Sequence, residues 1–300
     1  MAEFKHFPVM SEEATNALNC ADGKIYVDAT LGGGGYASLI LEKIGKTGRL
    51  LAFDVDDDAI SFAAEKLKHY KNLTIIKDSH VNIKKHLDEL NIEKIDGGIV
   101  YDFGASYHQL TDENRGFSFQ KEAPLDMRFD KQSPFSAYDV VNTYKESDLV
   151  RIFSEYGEER FSKRIAKAIV EKRRKSPVKT TTELVNIILE STPRIKSKIH
   201  PATRVFQAIR IEVNGELENI KNSLVNIMPK LKQGAIISAV TFHSAEDRIV
   251  KNFFRCNSEK TGGNLKILTK KPICASEEEI KNNPPSRSAK LRYAQVIREK

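Results

Sequence analysis

The hydrophobic pattern along the chain changes its period more than once. Four short apolar runs rich in β-branched residues, "KIYVDA" (24–29), "RLLAFD" (49–54), "LTIIKD" (73–78) and "DGGIVYD" (96–102), each end at or beside an acid and read as strands. Between them, 36–44, 56–70 and 79–91 have helical spacing, with Ala59, Phe62, Ala63 and Leu67 on one face. This order predicts a parallel sheet with crossover helices. Ligands of such sheets bind beyond the carboxyl ends of the strands. Asp28, Asp54, Asp78 and Asp102 fall there as an acidic rim, although Asp78 is equally placed to open a helix.

From residue 112 the texture changes. An aromatic-rich, loop-like stretch leads into helical spacing over 146–154, 158–174 and 181–190. Thr180 and Glu183 have capping-box spacing. Phe161, Ile165, Ala168 and Ile169 form a stripe, with Arg160, Lys163, Arg164, Lys167 and Arg174 largely off it. A long helix then returns, its apolar positions from Phe206 to Leu231 recurring every three or four residues, with Asn214-Gly215 placed to kink or split it. "AIISAVTF" (235–242) predicts a fifth strand, and 265–273 and 289–297 a sixth and a seventh. The expected architecture is α/β: a seven-stranded, mostly parallel sheet formed by 1–111 and 200–300, interrupted by a mainly helical domain at 112–199.

Charge sharpens this division. The net charge is +7, yet residues 1–111 carry 12 Lys+Arg against 17 Asp+Glu, leaving +12 for the remainder. The basic part is a candidate surface for a polyanion. No apolar run is long enough to span a membrane, and the start "MAEFKHFPVMSEEA" has no signal-peptide core. Cys20, Cys256 and Cys274 are far apart and form no CxxC pair, which implies a reducing cytoplasm and neither a disulfide framework nor a metal site.

Four consecutive glycines, Gly32 to Gly35, follow the first strand in "DATLGGGGYASLIL". The string satisfies G-x-G-x-x-A, a pattern that four glycines meet easily. Asp28, just before the loop, would repel a pyrophosphate, which disfavours NAD. S-adenosylmethionine presents an ammonium, a sulfonium and a ribose diol, all compatible with acids. Asp54 is placed to accept both ribose hydroxyls, a role it could also play toward NAD.

The segments "YVDATLGGGGY", "AFDVDDDAI", "YDFGASYHQL", "RGFSF", "APLDMR", "YGEERFSKRIAKAI", "HPATRVFQAIRIEVNGELE" and "FHSAEDRIVKNFF", in this order, resemble the motifs of the RsmH (MraW) family. The resemblance runs from His6 to the C-terminal "NPPSRSAKLRYAQ". It implies a class I S-adenosylmethionine-dependent methyltransferase fold with an inserted, RNA-recognising helical domain. The implied reaction methylates the N4 amine of a decoding-centre cytidine, cytidine 1402 of 16S rRNA in the small ribosomal subunit. Carried over by position, the family's cofactor contacts fall on Gly34, Gly35, Tyr36, Asp54, His80, Asp102 and Gln109. Gly33 and Tyr36 stand where the family more often has Arg and His, His80 where it often has Phe, and Tyr107-His108 where it has Ser-Pro.

An N4 amine is a weak nucleophile. It must be held in line with the methyl group and must find an acceptor for its N–H. Asp102 and Ser106, with the Gly104 carbonyl, sit where amino-methyltransferases place such groups, and Tyr107 could stack on the base. No covalent intermediate is needed, and no cysteine lies near a strand end of the glycine half. Arg173, Arg174, Lys175, Arg204, Arg210 and Arg248 are candidate RNA contacts, and His200, His243, Ser244 and Asp247 lie beside the expected site. "DFG" at 102–104 has no accompanying kinase motifs. Expected partners are 16S rRNA and, as one option, a second copy of the chain. From the residues alone, an NAD-dependent oxidoreductase and a non-catalytic RNA-binding assembly factor stay open beside the methyltransferase.

Overall fold

A computed structural model describes residues 8–193 and 199–299. The chain forms two compact units, Met1–Gly104 with Leu217–Lys300, and Ala105–Glu216.

The first unit is built on eight strands: β1 Ile25–Asp28, β2 Arg49–Asp54, β3 Leu73–Lys77, β4 Gly98–Asp102, β5 Ile236–Thr241, β6 Leu265–Ile267, β7 Ile273–Cys274 and β8 Lys290–Val296. Their order is β3-β2-β1-β4-β5-β8-β6, with β7 also paired to β8. The first five are parallel; β8 runs antiparallel to β5, β6 and β7. The expected sixth strand is therefore two short ones, because "TKKP" interrupts the apolar run between Ile267 and Ile273. Val27, Leu51, Ile99 and Ile237 face one core with Ile220, Leu224 and Phe254, while Tyr26, Leu50, Val100 and Val240 face another with Ile40 and Leu41. Burial on both faces explains why these strands are continuous apolar runs.

The helices of this unit are α1 Ser11–Ala17, α2 Gly35–Lys43, α3 Asp57–Leu67 and α4 Ile83–Glu89, then α11, α12 and α13 after the second unit. The second unit holds α5 Tyr107–Thr111, α6 Ala137–Thr143, α7 Glu146–Glu155, α8 Ser162–Arg173, α9 Thr181–Ser191 and α10 Ala202–Asn214. α11 is Glu216–Ile227, α12 Ser244–Cys256 and α13 Glu277–Asn282. Thr180 caps α9 in the expected box with Glu183.

The unit boundaries differ from those expected. α10 belongs to the helical unit, because Val205, Phe206, Ala208 and Ile209 are buried with Ile152, Ile169 and Ile188. Gly215, in a left-handed conformation at φ 61°, ends α10 and splits the return helix. Three family-like segments of this unit are bonded to one another. The Arg115 guanidinium donates to the carbonyls of Arg128 (2.8 Å) and Phe129 (3.0 Å), and Asn214 accepts from Phe129 N–H (2.7 Å) and donates to Met127 C=O (2.7 Å).

Gly34 caps α2 at φ 71°, and a Cβ there would lie 2.9 Å from Leu67 Cδ1. Leu67 can rotate away; the left-handed backbone cannot be relieved so simply. Gly34→Ala is expected to destabilise the protein by about 1–3 kcal/mol. Thermal or urea unfolding checks this; an unchanged midpoint would mean the loop relaxes without cost.

Candidate active site

Parallel pairing sets Asp28 opposite Val100, so Asp102 lies on the neighbouring strand, two residues further toward the carboxyl edge. Asp28 is 0 % exposed. Its Oδ1 accepts the Thr30 N–H at 3.1 Å, and its Oδ2 has no hydrogen-bond partner. Burial raises its pKa to about 7; the Thr30 and Ala37 amides pull downward and the Asp54 charge pushes upward. The Asp102 amide donates to Thr30 Oγ1 at 2.7 Å, and its Oδ1 is buried without a partner. Burial, then the charges of Asp28 and Glu246, hold the Asp102 carboxyl well above the usual range. One threonine thus fastens both acids. A buried carboxyl group beside a half-buried one, both short of donors, disfavours an anion and suits a cation.

Asp54 closes the loop from the other side. Its Oδ1 accepts the Val55 and Asp56 N–H groups at 2.8 and 2.9 Å, and its Oδ2 accepts Gly32 N–H at 2.7 Å. The acid ties the end of β2 to the first glycine. A carboxylate offers about four lone-pair sites, so with three amides bound about one remains for a further donor. Burial raises its pKa, against the pull of the Asp56 and Gly32 amides.

His80 follows β3 in a 3-10 turn, its ring edge-on to Tyr101 (centroids 5.9 Å apart) and Phe103 (5.8 Å). Burial lowers its pKa to about 4, so the ring is neutral, and Nδ1 has no partner. Asp78 leaves the rim: it accepts from Ser79 N–H and Asn82 Nδ2 on one oxygen and lies 2.7 Å from His86 Nε2 on the other.

Other expected contacts take a different form. Tyr36 is 2 % exposed, packed in the core with its hydroxyl donating to the Val9 carbonyl, so its ring offers no face to a ligand. Ser106 and Gln109 cap α5: Ser106 Oγ accepts Gln109 N–H at 3.2 Å, and Gln109 Oε1 accepts Ser106 N–H at 2.9 Å. The Gln109 side chain is folded back on its own turn, whereas Tyr107 is 45 % exposed.

The basic candidates separate sharply. The Arg173 guanidinium donates to the carbonyls of Val141 (2.6 Å) and Tyr144, at the end of α6. It falls in phase with the buried Ile165 and Ile169, eight and four residues back, so the helix turns it inward. Arg210 makes a two-pronged pair with Glu216 at 2.9 and 3.0 Å, both side chains largely buried. Neither guanidinium is presented to RNA. Arg174 and Lys175 are exposed, as is Arg248 on α12; Arg204 is half-buried and reaches the Glu158 carbonyl at 3.1 Å. His200 stacks on Phe119, centroids 4.8 Å apart.

His243 caps α12 in a box with Glu246, its Nε2 lying 3.0 Å from Glu246 Oε1. Asp247 pairs with Arg292 at 2.6 Å inside the unit. Sequence reasoning missed Thr30 and Glu246, the latter fully buried near Asp102. Each carried a local signal: Thr30 two residues after an acid at a strand end, and Glu246 at capping-box spacing from His243. Among the described residues no His/Cys/Asp/Glu group could hold a metal ion, and no helix is long and apolar enough to cross a membrane.

The sheet order with its antiparallel β8 set between β5 and β6, and the glycine loop opening onto buried acids, define a class I methyltransferase domain. The chain belongs to the MraW methylase family, whose model matches residues 3–297. It is 50 % identical over 310 residues to the ribosomal RNA small subunit methyltransferase H of Caldicellulosiruptor bescii, covering 98 % of this chain and 100 % of the relative. The proteins of the same name from Clostridium botulinum Loch Maree and Clostridioides difficile 630 are 46 % and 45 % identical, again over 98 % of this chain and all of theirs. A crystal structure of an rRNA-methylase candidate from Clostridium thermocellum shares the fold at a TM-score of 0.50 and 14 % identity, over 99 % of this chain and 100 % of that one.

Asp28 gives this site a pH signature. Its folded pKa of about 7 lies above the ordinary aspartate value of 3.8, so between these pH values the folded state holds the extra proton. Stability of the ligand-free protein therefore falls as pH rises through this window, by up to about 4 kcal/mol from this group. Asp28→Asn is expected to gain in melting temperature relative to wild type as pH rises from 5 to 8. Affinity for a cationic ligand should rise with pH in wild type and less steeply in the variant. Melting and titration series across that range check both; parallel curves would remove Asp28 from the site.

Proposed function

We propose that this protein methylates 16S rRNA of the small ribosomal subunit, with S-adenosylmethionine as methyl donor and the N4 amine of cytidine 1402 as acceptor. The observation that carries the reading is the pair of acids behind a glycine loop, Asp28 fully buried and Asp102 partly so, each with a buried oxygen that has no partner among the described residues. The names of the relatives, all rRNA small subunit methyltransferases, supply the substrate class.

The residues fit the donor. Bound S-adenosylmethionine supplies a methyl group activated on a sulfonium. Asp28 and Asp102 offer negative charge to its cationic groups, and Asp54 offers its remaining lone-pair site to a ribose hydroxyl. His80, neutral and flanked by Tyr101 and Phe103, offers an aromatic edge and an unpartnered ring nitrogen to the base. Gly34 and Gly35 make room for Leu67 and Pro8, which fix the conformation of the loop.

With the donor bound, its activated methyl group would be available to an amine held in line, and the amine would need a protein group to accept its proton. Asp102 is that acceptor. A nearby cation favours its ionised form, which burial by itself disfavours. Thr30 holds its backbone in place throughout. Ser106 sets the turn that follows, through its cap on α5. Tyr107, exposed at the first position of that helix, offers an aromatic face to a nucleic-acid base.

RNA is gripped by the basic side chains of the helical unit. Residues 151–179 carry ten basic and four acidic side chains, and Lys163, Arg164, Lys167, Arg174 and Lys175 are exposed along and just beyond α8. Arg204 and Arg248 are further candidates; Arg173 and Arg210 are withdrawn by their internal bonds. A homodimer is not needed by any of these steps.

The reading is tested by transfer of labelled methyl from S-adenosylmethionine to unmodified small subunits, followed by nucleoside analysis. Label in N4-methylcytidine is expected; label elsewhere, or none, rejects the assignment. Asp102→Asn should lower the single-turnover rate at saturating cofactor by roughly 10²–10⁴-fold. Full recovery at saturation would make Asp102 a binding residue only.

Changing Lys167, Arg174 and Lys175 together to Gln should leave cofactor affinity intact and weaken RNA binding. The log–log salt slope should drop by roughly 0.7–0.9 for each phosphate that the variant no longer neutralises. Arg173→Gln should instead lower stability, by about 1–3 kcal/mol, with the slope unchanged. Coincident slopes for the triple variant and wild type would move the RNA grip off this helix.

A further inference from the structure

A short N-terminal strap lies on the opening turn of α2, and it is tied down from the far end of the chain. Pro8 sits so close to Gly35 that a Cβ there would meet Pro8 Cγ at 2.5 Å. The Val9 carbonyl accepts the Tyr36 hydroxyl. The Met10 N–H donates to Glu279 Oε1 at 2.6 Å, across 269 residues of sequence. Met10 is 1 % exposed and holds a left-handed backbone at φ 50°, a conformation that a methionine keeps only when its surroundings impose it. Three consecutive strap residues therefore each hold one contact: two on the first two residues of α2, and one on α13.

From this arrangement we infer that Glu279 is a positioning residue for the cofactor loop, acting through the Pro8–Met10 strap on Gly35 and Tyr36. The inference rests on the proposed use of the glycine loop as the cofactor cradle. The physical reason is local. The buried Met10 amide has Glu279 as its acceptor; without it the amide must reach water or remain unsatisfied. Lifting Met10 frees Val9 and Pro8, and with them the hydroxyl anchor of Tyr36 and the wall against Gly35. The first turn of α2 then gains freedom that a ligand must remove on binding. Glu279 touches neither the glycines nor the acids, so its effect belongs in binding and not in the methyl-transfer step.

The test pairs Glu279→Ala with Glu279→Gln, whose amide oxygen can take the same N–H. Hydrogen exchange of the ligand-free proteins reads the strap directly. Amides of residues 32–41 should exchange faster in Glu279→Ala, with α6 to α10 unchanged and Glu279→Gln near wild type. Titration with S-adenosylmethionine should show affinity reduced roughly ten- to hundredfold in the alanine variant, the range set by removing a hydrogen bond to a charged group. The single-turnover rate at saturating cofactor should stay within about twofold of wild type, since transition-state contacts are untouched.

Unchanged exchange over 32–41, or equal loss of affinity in Glu279→Gln, overturns the inference. Should Glu279→Ala fail to fold, Tyr36→Phe severs the next link and is expected to speed the same amides and weaken cofactor binding; no effect there also overturns it. If wild type itself takes up no S-adenosylmethionine, the proposed function falls, and the exchange measurement still decides the strap.

Discussion

Two carboxyl groups on adjacent parallel strands, one wholly removed from water and the other with one oxygen buried, both given too few donors, set the terms for the rest of this molecule. Asp28 and Asp102 each retain a buried oxygen without a hydrogen-bond partner among the described residues. Such an arrangement is costly in isolation, and proteins keep it where a ligand completes it. The parallel sheet makes it geometrically natural: strands of one direction bring their carboxyl ends to one edge, so acids that terminate successive strands converge without any loop having to carry them. Thr30 converts that convergence into a fixed distance by bonding the side chain of one acid and the backbone of the other.

The glycine loop answers to several constraints at once. Gly34 accommodates a left-handed cap and the close approach of α3; Gly35 accommodates the proline of the strap; Gly32 delivers its amide to Asp54. At Gly34 and Gly35 side chains are excluded because protein atoms, Leu67 at one and Pro8 at the other, already crowd the backbone, quite apart from what the loop holds. The loop is thus fastened by β2, α3 and the strap, and its conformation is set before a ligand arrives. That is the preorganisation expected of a site that must align a methyl group within a fraction of an ångström.

The inserted unit follows a different logic. Its motif segments bond to one another through Arg115 and Asn214, and several of its cations are internal: Arg173 on the end of α6 and Arg210 on Glu216. A basic sequence is therefore not uniformly a basic surface. What remains exposed on and just beyond α8 is a narrower set, presented by a helix whose opposite face is locked into the core.

The strand runs and the parallel order of the first five strands were legible in sequence, because burial on both sheet faces writes continuous β-branched runs and helix faces write a 3.6-residue period; the division of the sixth strand, the bounds of the helical unit and the departure of Asp78 from the rim were not. The RsmH-like motifs carried the family. The phase of α8 also held a readable signal, since Arg173 follows Ile165 and Ile169 by eight and four residues. Sequence could not show that Tyr36 turns inward to Val9, that Gln109 folds back on Ser106, or that Asp78 is taken by His86. Nor could it show that Glu279 reaches Met10. Residue type and local spacing determine which groups can bond. Which partner they take is decided by distances between segments far apart in the chain, and those exist only once the sheet and its helices have packed.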